Sequence, residues 1–218
     1  MNQLNVILQG LPSLLTGTIN TIILTIYFLS LGLVLGILLA LGRVYGSRPL
    51  QILIIRPFER FFRAIPALVL LFLFYFGSSF FNINISPFFA AILAMGFRSA
   101  AYQSEIFRGA IQSIGEGQLK AARSLGMNML QSIRHIILPQ ALRLSIPSWA
   151  NEFAVVLKDS SLAYAVGVTE LLRQGRHIVA RTFGNALLIY TFCALIYFVL
   201  VFAGNQFLKL LEKKYKIP

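Results

Sequence analysis

The amino-acid sequence predicts an all-α integral membrane protein with about five transmembrane helices. Three observations support that fold class. Of the 218 residues, 57% are hydrophobic and only 12% are charged, far from the balance of a soluble domain. Mean hydropathy is +0.77. The charges also fall in clusters separated by long uncharged runs. With a net charge of +12 a polyanion partner is conceivable, but clustering at the ends of apolar runs is the pattern of membrane topology.

A helix needs about 20 mostly apolar residues to cross a hydrocarbon core, because only closed backbone hydrogen bonding is tolerated there. No Asp, Glu, Lys or Arg precedes Arg43, and the first span is read at about residues 18–42. Residues 1–17 form an N-terminal extracytoplasmic segment that lacks a basic signal-peptide start, so it is read as part of the mature protein. The uncharged run from Ala64 to Phe97 holds a second span and a turn in "GSSFFNINISP". A third span then opens at Pro87 and continues past Arg98 to about Glu105. The fourth, about Leu144 to Leu157, is short; the fifth covers about residues 183–208. The transmembrane domain is thus 18–210, with a polar loop at about 109–139 and a tail at 211–218.

Basic residues mark the cytoplasmic side. Arg43, Arg48, Arg56, Arg60 and Arg63 follow the first span; Arg108, Lys120, Arg123, Arg134 and Arg143 follow the third; Lys209, Lys213, Lys214 and Lys216 end the chain. The N-terminus is therefore expected outside and the C-terminus inside. Gly32, Gly36 and Ala40 form a small-residue stripe on the first span. Such a stripe serves close helix packing, either within the subunit or against another one.

The polar loop reads as two short helices. Gly115 and Gly117 precede "QLKAARSL", which ends at Gly126; Asn128 then caps "MLQSIRHIIL" before Pro139. Ala121, Ala122 and Leu125 leave a slim surface flanked by Lys120 and Arg123. By pattern alone it fits either a groove on a partner protein or a lipid surface.

Chemistry-bearing motifs are otherwise few. There is no phosphate-binding G-x-x-x-x-G-K-[ST] loop, His135 and His177 are isolated, and Cys193 is the single cysteine. Neither nucleotide hydrolysis, a metal site nor a disulfide framework is expected in this chain. Ionisable groups inside spans cost about 2.5–3.5 kcal/mol each and need a partner or a watery cavity. Arg98, Tyr102 and Glu105 share one face of the third span. On the fourth, Asn151 and Lys158 share a face, and Glu152 and Asp159 share its neighbour. Glu105 or Glu152 serves either a solute or a purely structural pair with Arg98 or Lys158.

The loop resembles the EAA loop of ABC importer permeases. Ala121, Ala122, Gly126, Ile136, Leu138 and Pro139 stand at that pattern's spacing, with Lys120 in place of its Glu. Further stretches, "FRAIPALVLLFLFYFG", "AYQSEIFRGAIQSI", "LPQALRLSIPSWANEF" and "LKDSSLAYAVGVTELL", resemble the polar amino acid branch of that family, the histidine, glutamine and arginine permease type. The resemblance implies a type I importer permease fold and a transport subunit that is not itself an enzyme. It implies as partners a second permease subunit, identical or a sister, two cytoplasmic ATPases carrying ATP and Mg, and an extracytoplasmic solute-binding protein. A prokaryotic cytoplasmic membrane and a polar amino acid as solute are expected. It places the ATPase docking surface at Lys120, Ala121, Ala122, Arg123 and Gly126, and its likeness around "NEF" and "LKDSSL" joins Asn151, Glu152, Lys158 and Asp159 to the polar face of Arg98 and Tyr102 as the expected solute pathway. Arg98 departs from the small polar residue usual in the branch and favours a carboxylate-bearing solute. A permease for another small polar solute, a membrane scaffold and a channel subunit are the alternative readings.

Overall fold

The computed structural model describes residues 3–182 and 186–215, and within them every regular element is helical. Lys216 and the first three residues of the expected fifth span lie outside the described residues.

The first helix, α1, is Gln3–Tyr45. At 1.5 Å per residue it is about 65 Å long, twice a hydrocarbon core, so residues 3–17 continue the helix of the first span beyond the length a core needs. A broken arm follows: α2 (Arg48–Leu50), a π-helical turn (Gln51–Ile55) and α3 (Arg56–Ala64). It bends by 108° at Pro66 into α4 (Ala67–Phe80). The predicted turn follows, with Asn82 in the left-handed region at φ 58°. Ser86 then caps α5 (Pro87–Ser113), its hydroxyl accepting the Phe89 N–H at 3.2 Å, with Pro87 at the first helical position. After α5 come α6 (Glu116–Ser124), α7 (Met129–Ser132), a second π-helical turn (Ile133–Ile137) and α8 (Leu138–Asp159). A 3-10 stretch (Ser160–Val166), α9 (Leu171–Thr182) and α10 (Ala186–Tyr215) complete the order.

Two of these helices, α1 and α10, are by themselves long and apolar enough to cross a membrane, with mean hydropathy of 2.7 and 2.5 over their spanning parts. The α2–α4 arm reaches the same length and apolarity when its two bent halves are taken together. Helices α5 and α8 occupy the expected third and fourth spans but carry Arg98, Glu105, Arg143, Glu152 and Lys158. Those charges lower their hydropathy, and many of their residues are buried inside the bundle. The outer faces of α1 and α10 expose Val34, Leu38, Phe198, Val199 and Phe202, an apolar surface suited to lipid.

The small-residue stripe resolves to packing within the subunit. A Cβ on Gly32 would collide with Gln103 and Ser99, and one on Gly36 would sit 2.9 Å from the Gln103 Cβ. Ala40 packs with Phe107 of α5 in a cluster completed by Ile111, Ile137 and Ala141. A larger core joins Phe28, Leu70, Leu71, Met95 and Val156, with the rings of Phe58, Phe62, Phe74 and Phe97 edge to face or tilted.

Two sequence expectations are corrected. The helix opened by Asn128 does not end before Pro139 but runs into α8. An additional helix, α9, forms where none was expected. Its N-terminus is capped by Glu170, which accepts N–H groups of Leu172 and Arg173 at 2.8 and 2.7 Å.

Candidate functional site

Antiparallel packing of α5 on α8 aligns a ladder of polar groups inside the bundle. At one end Arg98 Nη1 donates to Asp159 Oδ2 at 2.7 Å. The Arg98 guanidinium also lies 5.0 Å above the Tyr102 ring, one helical turn on, and its Nε is buried without a hydrogen-bond partner. In the middle the Ser99 hydroxyl donates to Glu152 Oε1 at 2.8 Å. Glu152 is only 6% exposed. At the other end Trp149 Nε1 donates to Gln103 Oε1 at 2.8 Å. The fully buried Gln103 amide nitrogen donates in turn to Ser99 Oγ at 3.0 Å and to the Leu29 carbonyl of α1 at 3.3 Å.

Of the six pathway residues named from sequence, the structure brings Arg98, Tyr102 and Asp159 into direct contact and sets Glu152 beside them through Ser99, the neighbour of Arg98. Asn151 and Lys158 are exposed. Lys158 opens into a groove of about 430 Å³ with Ser161 and with Ala194, Tyr197 and Phe198 of α10. Glu105 takes neither Arg98 nor Lys158 as partner. It binds Arg108, whose Nε donates at 2.8 Å, and faces Arg63 of α3 at 3.6 Å. Glu152 likewise makes its hydrogen bond to Ser99 rather than to either cation.

Two buried carboxylates escaped the sequence reading. Glu59 of α3, 1% exposed, accepts from Ser104 at 2.7 Å and faces Arg43 of α1 at 3.3 Å. Glu170 is fully buried and receives the Tyr197 hydroxyl at 2.7 Å. Each had a faint signal. Glu59 is the one acid between Arg43 and Arg63, and Glu170 directly precedes a helix in "VTELL".

The loop between α5 and α8 forms a compact knob. Helix α6 ends with the Met127 N–H on the Ala122 carbonyl at 3.2 Å and Gly126 at φ +81°, a left-handed cap that glycine adopts cheaply. Asn128 and Gln131 close a reciprocal capping box. Ala122 turns inward at 3% exposed, while Lys120, Ala121, Arg123 and Gly126 face out. Lys120 pairs with Glu116 at 3.1 Å. Ala122, expected on the outer surface, is therefore corrected to the inside of the knob, where its methyl packs; Leu125 of the expected surface stays out at 82% exposed, and Leu130 at 74% extends it. Among the described residues no group of three or more His, Cys, Asp and Glu could hold a metal.

The chain has relatives among known proteins. Residues 32–217 match a family described as binding-protein-dependent transport system inner membrane component. The chain is 36% identical over 208 residues to the probable amino-acid ABC transporter permease protein YckA of Bacillus subtilis, covering 95% of this chain and 91% of that one. It is 34% identical over 210 residues to the glutamine transport system permease protein GlnP of Escherichia coli K12, covering 95% of both. Among solved structures, an amino acid ABC transporter determined with histidines superposes with a TM-score of 0.87 at 34% identity, over 98% of this chain and 99% of that one. The MetNI methionine ABC transporter shares the fold, with a TM-score of 0.67 at 22% identity over 95% and 97% of the two chains.

Proposed function

The chain belongs to the family of binding-protein-dependent transport system inner membrane components, and from that membership we propose that its solute is a polar amino acid held between α5 and α8. It is a membrane-spanning permease subunit of an ABC importer, a transport subunit and not an enzyme. The observation that carries the solute assignment is the Arg98–Asp159 pair with Glu152 beside it on facing helices. Charges of both signs are retained there although apolar residues insert at far lower cost.

An amino acid presents a carboxylate and an ammonium group. The carboxylate takes Arg98 in place of Asp159, and the released Asp159 joins Glu152 in holding the ammonium group. Tyr102 keeps the guanidinium over its ring throughout. Asn151 and Lys158, being exposed, serve the approach to this site rather than its centre. The permease relatives with glutamine and amino-acid names support the same class of solute.

The rest of the assembly follows the family. In this reading α1, the α2–α4 arm, α5, α8 and α10 are five spans across the cytoplasmic membrane of a prokaryote, and the basic residues of the loops and tail support an N-terminus outside and a C-terminus inside. A second permease subunit completes the pathway, and an extracytoplasmic binding protein delivers the solute. Two ATPases, which hold ATP and Mg, dock on the exposed face of Lys120, Ala121, Arg123, Leu125 and Gly126.

Glu152→Gln tests the site. Its amide oxygen still accepts from Ser99, so the fold is retained while the charge is lost. Removing one charge-assisted contact lowers solute affinity by about ten- to a hundredfold. Uptake of radiolabelled amino acids by the reconstituted complex measures this, with melting temperature read on the same preparation. A complex that melts early yet transports with unchanged affinity would refute the assignment.

A further inference from the structure

Gln103 is fully buried, yet its place in the ladder is not explained by core packing. Its side-chain amide satisfies both ends: the oxygen receives Trp149 Nε1, and the nitrogen donates to Leu29 O and Ser99 Oγ. The bulk it needs is cleared by Gly32 and Gly36, whose missing Cβ atoms would occupy the space of this side chain. The indole N–H can only donate, so it fixes which end of the amide is oxygen. The amide nitrogen then must face Ser99. A hydroxyl that accepts from that N–H turns its own single proton elsewhere, and the acceptor in reach is Glu152 Oε1 at 2.8 Å. The hydrogen bonds therefore run in one direction, from Trp149 through Gln103 and Ser99 to Glu152. No described residue donates to the second oxygen, Oε2.

We propose that Gln103 is a positioning residue for solute binding: acting through Ser99, it holds the Glu152 carboxylate in one orientation with Oε2 presented to the ammonium group of the solute. This rests on the reading of Glu152 as a solute-binding group. Gln103 touches no solute itself; it commits the Ser99 proton and so removes the freedom of the carboxylate to rotate or to accept a different donor. Trp149 anchors the relay from a position against both the central cluster and the cluster that includes Leu119 and Ile136 of the exposed loop.

The test is a double-mutant cycle on the reconstituted complex, with the standard amino acid that drives the largest uptake by the wild type as probe. Gln103→Met keeps the volume and removes the donor; Ser99→Ala removes the hydroxyl and is the smaller change should Gln103→Met fail to assemble. Each is expected to raise KM about tenfold with kcat within about twofold, as for loss of one bond to a charged group. The double variant is expected to be no worse than the more impaired single variant. An unchanged KM in Ser99→Ala, or an unchanged KM with a lowered melting temperature in Gln103→Met, overturns the proposal and leaves Gln103 a core residue. Multiplying KM effects in the double variant overturn its action through Ser99. If wild-type complex takes up none of the standard amino acids, the solute reading itself fails and the proposal falls with it.

Discussion

Replacing Asp159 with Asn separates the structural from the functional part of the Arg98–Asp159 pair. The pair is short, 2.7 Å, and its side chains are 18% and 27% exposed. Removing one partner of a fully buried pair costs about 3–5 kcal/mol, and of a surface pair under about 1 kcal/mol. Partial exposure and the persisting Tyr102 ring put Asp159→Asn at about 2 kcal/mol, which corresponds to a fall in melting temperature of about 4–8 °C for a chain of this size. Cys193, the single cysteine of the chain and only 2% exposed, makes the measurement direct. A thiol-reactive fluorogenic dye stays dark until the bundle opens. The double variant Arg98→Gln, Asp159→Asn exchanges the ion pair for two amides that can hydrogen-bond to each other, and most of the stability is expected to return. Transport is expected to stay lost in both variants. If Asp159→Asn melts with the wild type, the pair contributes nothing to the fold; if the double variant transports normally, the pair is not part of the solute site.

The other expectations concern packing and docking. Gly36→Leu drives a side chain into Gln103 and the Ser104 backbone of α5, and should cost about 2–3 kcal/mol or prevent folding, seen as a lowered yield of monodisperse protein in detergent. Gly126→Asp should leave the melting temperature within a few degrees, because no atom lies within 4 Å of a new Cβ and the cost is one left-handed residue. Co-purification with the ATPase should be lost in Gly126→Asp and largely kept in Gly126→Ala, which carries the same backbone strain without the charge. Concentrative uptake should require the ATPase and stop when that subunit cannot hydrolyse ATP; uptake by the permease alone in liposomes would contradict the division of labour.

What could be read from the sequence was set by signals confined to one segment. Uncharged runs located α1, α4 and α10, while Pro87 and Asn128 announced helix starts that local hydrogen bonds, made by Ser86 and Gln131 in the fold, alone decide. Gly126 stood where a left-handed residue ends a helix. The helix α9 went unseen because a search for apolar spans passes over an amphipathic, basic stretch such as Leu171–Thr182. The buried Glu59 and Gln103 were missed for a different reason. What makes their burial affordable is Ser104 and Arg43 for one, and Leu29 and Trp149 for the other. Those partners are distant in sequence and known only once α1, α3, α5 and α8 are packed. Lys158 and Asp159 illustrate the same limit. Successive helix residues point about 100° apart, so periodicity assigns them to different faces without saying which face meets α5.

Pro139, expected to stop a helix, and Pro57 of α3 both sit inside continuous helical chain, for a single physical reason. Pro57 and Pro139 have no N–H to donate, and their rings crowd the carbonyl four residues back. In each case the chain widens before the ring: the Arg56 N–H reaches the Gln51 carbonyl and the Leu138 N–H reaches the Ile133 carbonyl, five residues back. The helix axis thus passes through each proline. For Pro139 the consequence is long-ranged. From Met129 to Asp159 the chain is one continuous helical rod of about 45 Å. It begins just after the Gly126 cap and ends at the carboxylate that holds Arg98. The loop surface and the charged ladder are therefore two ends of one element, interrupted in its regular hydrogen bonding by the widened turn at Ile133–Ile137 and by Pro147 inside α8. A push on the loop reaches Glu152 and Asp159 along that rod as a displacement, less whatever the turn and Pro147 absorb.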